Sequence, residues 1–520
     1  MAGEHQRDSD VFSESSPLMG EQPRRPSHRP TRSVTSIISL KVPKAHKSST
    51  IVNLLCAIAF VASSASGFLG IPMTRVLEDV LCQEYYDGMQ SLDGPIDEKL
   101  CKENAIQKRL AFIAAIASMI DAIVGFLAAF PWGLVADRIG RRPVFAISLM
   151  GVCFNILWNM MVLWLHKAMP IELIWIGACG PLLGGGTAVL LGLLLSMITD
   201  ATTEEERAMA FMRSHVASLC GNLLSPAIAS IMMERVGPWP PLWVANAVIA
   251  ISAIAIFFVP ETLKHKTAEE PEDPENPESA TLKSRVLHII DQFKESLSIL
   301  KSPSLILLLL TALASTPIIY ATLAFMSQFI SKRYDIKLFQ TGYVQSAYGV
   351  AQIIHALLIL PWLTKYLIKG TTTPRFRSPD EHTRDLSLAR WSFGVLSIGA
   401  LVLGLAPTLA GFMFGLVLMA LGSGYNSLSR SLMTLYVDPE HTSRLFSLVG
   451  MVEVVGGMYA QPMLAALFTL GLNLEGGWIG LPYYGLGAIQ ALAVVMLLFV
   501  RVPKVVRASS PIHSHGQHED

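Results

Sequence analysis

Apolar residues in this chain come in long unbroken runs rather than in alternation. A helix needs roughly 20 apolar residues to cross the hydrocarbon layer of a bilayer. Stretches of that kind lie near 50–72, 109–132, 143–165, 172–199, 209–233 and 240–260, and again near 303–329, 339–364, 390–407, 409–436, 445–470 and 477–501. Continuous runs exclude a transmembrane barrel, whose strands alternate apolar and polar positions. The pattern predicts an all-α membrane protein with twelve transmembrane helices in two sets of six.

The segment between the sets is polar. From Glu269 to Glu278 a proline recurs at every third position among acids, which forbids a helix and extends the chain as a linker. Residues 281–300 then place Val286, Ile289, Ile290, Phe293 and Leu297 on one stripe, the pattern of an amphipathic helix at a membrane surface. The expected organisation is a disordered tail over 1–48, a six-helix bundle over 49–262, a linker over 263–301, a second bundle over 302–502 and a tail over 503–520.

Basic residues orient this arrangement. The first tail carries Arg24, Arg25, Arg29 and Arg32, the loop after span 2 carries Arg138, Arg141 and Arg142, and the loop after span 8 carries Lys365, Lys369, Arg375 and Arg377. Cytosolic loops hold the excess of lysine and arginine, so both termini and the linker are predicted to be cytosolic. The loop after span 1 then lies outside, in an oxidising compartment, and contains Cys82 and Cys101, a candidate disulfide set against two unpaired thiols. The remaining cysteines, Cys56, Cys153, Cys179 and Cys220, sit in apolar runs as small hydrophobes.

Composition narrows the function. With 52% hydrophobic and 15% charged residues over 520 positions, the chain has more apolar surface than one water-soluble core could hide. Forty basic residues balance forty acidic ones, so there is no basic footprint for nucleic acid. A Gly-x4-Gly-Lys-Ser/Thr phosphate loop is missing, which argues against ATP-driven pumping. Neither a His-Glu-x2-His cluster nor a Gly-x-Ser-x-Gly elbow occurs, so no enzyme activity, catalytic metal or cofactor is expected.

The halves also repeat one another. Phe130-Pro131-Trp132 answers to Leu360-Pro361-Trp362, and Gly184-Gly185-Gly186 stands before Asp200 as Gly422-Ser423-Gly424 stands before Asp438. An arginine follows each acid, Arg207 or Arg444, and then a Gly-x4-Pro element, Gly221 to Pro226 or Gly457 to Pro462. Two parallel six-helix repeats imply a pseudo-two-fold axis along the membrane normal, a solute site at the midplane and alternating access by rocking.

Ionisable groups at membrane depth are functional candidates because each costs several kcal/mol unless it faces water or a partner. Asp121 lies midway along span 2, Arg430 is placed on one face with Gly422 and Asn426 in span 10, Glu453 lies in span 11, and His355 lies in span 8 one turn after Gln352. In the functional reading Glu453 or Asp121 carries a proton, Arg430 binds an anionic solute group or pairs with Glu453, and His355 tunes the pH response. In the structural reading Arg430 and Glu453 are only a pair between spans, with His355 packed.

Between spans 2 and 3 stands Gly133-Leu134-Val135-Ala136-Asp137-Arg138-Ile139-Gly140-Arg141-Arg142. It resembles the loop signature of the major facilitator superfamily, with Val135 in place of a leucine, and the span count and repeat extend the resemblance over nearly all of residues 50–502. The resemblance implies that Asp137 meets the N-terminal end of span 11 and that the arginines meet nearby acids or lipid. Asp137, Arg138, Arg141 and Arg142, with Gly133 and Gly140 shaping the turn, would then control gating rather than solute choice.

Pro72 to Tyr86, with Ile96-Asp97-Glu98 and Cys101-Lys102, is similar to fungal facilitators related to the proton-coupled folate and haem-carrier transporters. The antiporter signature expected in span 5 is reduced to Gly221, Ser225-Pro226 and Ser230, which weakens drug/proton antiport as the default. The resulting expectation is a monomeric secondary transporter in a lipid bilayer, coupled to protons and moving a small organic solute, with export of a secondary metabolite or drug-like compound as the leading direction. A proton-coupled uptake carrier and a non-transporting solute sensor are the alternatives. Glu14 to Met19 resembles an acidic dileucine sorting signal, leaving the vacuolar membrane and the plasma membrane both open.

Overall fold

A computed structural model describes residues 48–87, 97–262, 302–363, 381–437 and 442–501. The first tail, the linker with its amphipathic helix, the basic loop after span 8, Asp438 and the last tail lie outside the described residues. Among the described residues every regular element is helical, and twelve helices are long and apolar enough to cross a membrane.

In the first half these are α1 (Ser48–Asp87), α2 (Asn104–Ile139), α3 (Arg141–Trp164), α4 (Ile171–Ala201), α5 (Glu204–Val236) and α6 (Trp239–Ala255). In the second half they are α7 (Pro303–Leu323), α8 (Leu338–Leu363), α9 (Glu381–Leu405), α10 (Leu409–Thr434), α11 (Thr442–Leu474) and α12 (Leu481–Phe499).

Hydropathy placed most spans but not their irregularities. α1 continues well past residue 72, because Pro72 is accommodated inside the helix and Arg75 pairs with Glu78 and Asp79 at helical spacing on a polar extension. The expected span 7 divides into α7 and a short helix, Met326–Tyr334. α8 passes through a π-turn at His355–Ile359.

Two helices are broken where the repeat has its glycines. α4 opens between Gly180–Leu182 and Gly186–Ala201, with Gly184 at φ 89° and Gly185 at φ 83°, values that favour glycine. A side chain on Gly184 would also place its Cβ 2.3 Å from Ser148 Cα, so the break lets α4 pack directly on α3. α10 opens between Leu409–Leu421 and Tyr425–Thr434, across Gly422-Ser423-Gly424. This corrects the expected face: Gly422 ends the first segment of α10, while Asn426 and Arg430 lie one turn apart on the second.

Helix neighbours repeat with an increment of six. α1 packs on α5 and α6 as α7 packs on α11 and α12, α3 on α6 as α9 on α12, and α2 on α11 as α8 on α5. The Gly-x4-Pro elements explain part of this: a Cβ on Gly221 of α5 would meet the Phe60 carbonyl of α1 at 2.4 Å, and one on Gly457 of α11 would meet Tyr320 Oη of α7 at 2.8 Å. One large buried cluster is drawn from residues 52–259 and another from residues 305–500 joined by Ala111 and Ala115 of α2.

Candidate functional site

At the helix ends remote from the chain termini, the halves are joined by a buried polar network. The Glu78 carboxylate, 1% exposed, accepts from Lys102 Nζ at 2.8 Å, Arg75 Nη1 at 2.9 Å and Gln107 Nε2 at 2.6 Å. A charge removed from water is tolerated only when its lone pairs are taken up in this way. Cys82 and Cys101 are joined by a disulfide that ties the turn Leu100–Lys102 to α1.

Several bonds cross to the second half, among them one from Lys108 Nζ to Asn473 Oδ1. Gln328 Nε2 donates to the Gln107 carbonyl at 2.8 Å, the Leu338 backbone N–H donates to Glu98 Oε1 at 2.8 Å, and the Lys332 ammonium donates to the Lys102 carbonyl. Burial lowers the Lys332 pKa below its ordinary value, against the opposing pull of Glu103 and Asp335. Arg75, Glu78, Glu98 and Lys102 lie in the segments that carried the family resemblance, but nothing in the sequence marked their contacts, and Gln107, Gln328 and Lys332 were missed; the signal for those was a density of polar residues at the ends of apolar runs.

The end nearest the termini is built differently. Gly140 joins α2 to α3 at φ 107°, and Glu261 closes over it, accepting from the backbone N–H groups of Arg141 at 3.0 Å and Arg142 at 3.3 Å. A carboxylate there complements the positive N-terminal end of α3. The Arg141 side chain pairs with Asp200, and the Arg142 guanidinium lies over the Phe257 ring at 4.9 Å. Gly133 has open space where a side chain would stand, and Asp137 and Arg138 are exposed. The Asp137 carboxylate makes no hydrogen bond or ion pair among the described residues.

The two ends also differ in closure. In α2 the buried residues concentrate from Ile106 to Ala115, and in α8 from Leu338 to Tyr348, both at the remote end. Towards the termini, Phe130 and Leu134 of α2 and Leu358 and Trp362 of α8 are exposed.

Between the ends, a cavity of about 290 Å³ is lined by Ser118 and Asp121 of α2, Asn155 and Asn159 of α3, Ala178 of α4 and Tyr320 of α7. Asn159 donates to Asn155 Oδ1 at 2.7 Å, and Asn159 Oδ1 is buried without a partner among the described residues. Asp121 has no hydrogen bond or ion pair among the described residues, and Tyr320 of the second half lines the same cavity. The two asparagines were missed in the sequence, although two polar residues four apart within an apolar run were a signal for them.

Arg430 and Glu453 form an ion pair, Nη2 to Oε1 at 2.7 Å, with side chains 43% and 33% exposed. Arg430 Nε has no partner among the described residues. Asn426 is half-buried one turn before Arg430. His355, 3% exposed, bonds through Nδ1 to Ser423 Oγ at 3.0 Å in the break of α10, and Gln352 bonds instead to the Tyr348 hydroxyl at 3.0 Å. The structure thus brings Arg430 and Glu453 together and sets His355 into a helix contact.

Twelve membrane-spanning helices in two equivalent halves, with polar groups gathered between them and a seal at one end, define a membrane transporter. Residues 105–376 of the 520 match the Major Facilitator Superfamily model, and the chain belongs to that superfamily.

Among curated proteins it is similar to the MFS efflux pump atnC of Emericella nidulans, 28% identical over 87% of this chain and 88% of that protein. It is also similar to the efflux pump ustT of Aspergillus flavus, 24% identical over 86% of this chain and 88% of that one. Among solved structures, the D-xylose-proton symporter shares the fold at a TM-score of 0.60 and 15% identity, over 88% of this chain and 98% of that one. The human organic anion transporter MFSD10 does so at a TM-score of 0.51 and 14% identity, over 87% and 100%.

Proposed function

We propose that this protein exports a small organic solute from the cytosol by proton-linked alternating access. The carrying observation is the one-sided closure of the interface between the halves: Glu98, Lys102 and Gln107 bond across to Leu338, Lys332 and Gln328 at one end, where the buried residues of α2 and α8 also concentrate. With the termini in the cytosol, as the arginine distribution suggests, this is the state that receives a solute from inside. Export as the direction draws on the similarity to proteins named as efflux pumps in two fungi.

The Arg430–Glu453 pair is the proposed proton site. Protonation of Glu453 neutralises the partner of a half-exposed guanidinium and frees Arg430 to change contacts, which links proton uptake to movement of α10 against α11. At the other control point, Arg141–Asp200 and Glu261 hold the turn after α2 and release it as the halves rock. Kinship with the folate and haem-carrier branch is a finer reading, supported by the disulfide-closed segment after α1. A plasma or vacuolar membrane suits an exporter equally.

The test is proton movement and solute flux in sealed vesicles of known orientation, over a panel of organic cations, anions and neutral compounds. A pH gradient should drive transport of some of them, and Glu453→Gln should leave binding intact and abolish the gradient dependence. Binding without flux by correctly oriented protein would replace export with solute sensing.

A further inference from the structure

Charge in the described interior is unevenly matched. Arg430 is answered by Glu453 at 2.7 Å, so that pair is neutral as it stands. Asp121 has no counterpart: the cavity it lines contains no lysine, arginine or histidine among the described residues, and the groups around it are the hydroxyls of Ser118 and Tyr320 and the amides of Asn155 and Asn159. The amide hydrogen bond between the asparagines uses one Asn159 donor and one Asn155 acceptor, which leaves Asn159 Oδ1 without a hydrogen-bond partner among the described residues.

We infer that this cavity, lined by Asp121, Asn159 and Tyr320, is the subsite for a protonated amine on the transported solute. An ammonium has three donors and no acceptor, and the residues lining this cavity bring a carboxylate together with amide and hydroxyl side chains and no competing cation. A bonded cation also removes the cost of an unpaired carboxylate at membrane depth, which an anionic or neutral group would leave in place.

The volume, about 290 Å³, lies at the small end of ligand pockets and suits the amine-bearing end of a solute. Tyr320 comes from the second half and the other groups from the first, so an amine held here is gripped by both. Its hydroxyl lies against Gly457 of α11, the helix that carries Glu453. The inference rests on the transport reading but specifies the solute class.

The test measures equilibrium binding of 1-naphthylmethylamine and its neutral analogue 1-naphthalenemethanol to purified full-length protein in nanodiscs, by calorimetry. The amine should bind at least tenfold more tightly than the alcohol. Asp121→Asn should erase that preference without changing alcohol binding and without lowering the unfolding temperature, and Tyr320→Phe should reduce it a few-fold. Equal binding of the two compounds, no amine binding, or an amine preference that survives Asp121→Asn overturns the inference; survival with loss of proton coupling assigns Asp121 to proton carriage instead. Binding is independent of transport direction, so an amine preference without export in vesicles would sink the export reading and leave this subsite standing.

Discussion

The carboxylate of Glu98, on the segment between α1 and α2, accepts a hydrogen bond at 2.8 Å from the backbone N–H of Leu338, the first residue of α8. One side chain of the first half thus satisfies an N–H at a helix start in the second, where the helix dipole also favours negative charge. The same carboxylate lies 3.3 Å from Lys102 Nζ, which joins the contact to the buried Glu78.

Glu98→Ala should loosen the remote end. A hydrogen bond to a charged group contributes about 1.5–3 kcal/mol, so the population open at that end should rise by roughly tenfold or more. Fluorescence transfer between dyes placed on either side of the seal would read this directly, and an unchanged distance distribution would remove Glu98 from the closure.

Glu78→Ala should act on stability rather than on gating alone. It leaves Lys102, 8% exposed, without its main partner in a buried site, and breaking such a pair costs about 3–5 kcal/mol. The variant should unfold several degrees lower in a thermal scan, and adding Lys102→Met should recover part of the loss. A double-mutant cycle with no coupling would contradict the buried pair.

Gly140→Ala should impair both folding and transport. The position has φ 107°, and a Cβ would stand 2.5 Å from Glu261 Oε2, so backbone strain of about 1–3 kcal/mol adds to displacement of the carboxylate that caps α3. Thermal unfolding and vesicle flux should both fall; a variant with ordinary stability and flux would show that the turn has other conformations available.

Closure of the remote end should depend on alkaline pH through Lys332. Its pKa is lowered by burial, so the closed state binds this proton more weakly than a state in which the lysine is exposed. Closure should therefore strengthen as pH rises through the lowered value towards the ordinary lysine pKa of about 10.4, with no further change from this group above it. Dye-to-dye distances across the seal over that range should show the trend, and Lys332→Met should flatten it.

The chain itself determined the spans, the repeat and the turn after α2, because length, hydropathy and short motifs act locally. Twelve apolar runs must be helices in lipid, since every backbone group has to bond within its own segment. The glycine-rich triplets Gly184-Gly185-Gly186 and Gly422-Ser423-Gly424 were visible as repeated elements, but only the fold made them matched breaks in α4 and α10.

Partners were a tertiary decision. Arg430 and Glu453 were both conspicuous as charges in apolar runs, yet their contact depends on how α10 resumes after Gly424 and meets α11. Glu98 and Leu338 are 240 positions apart and neither breaks a local rule, so no pattern along the chain marks their bond. Asp121 shows the same division: its cost at membrane depth was written in the sequence, but the lack of a cation beside it, and the amide and phenol set there instead, followed from three helices of one half closing on a tyrosine of the other.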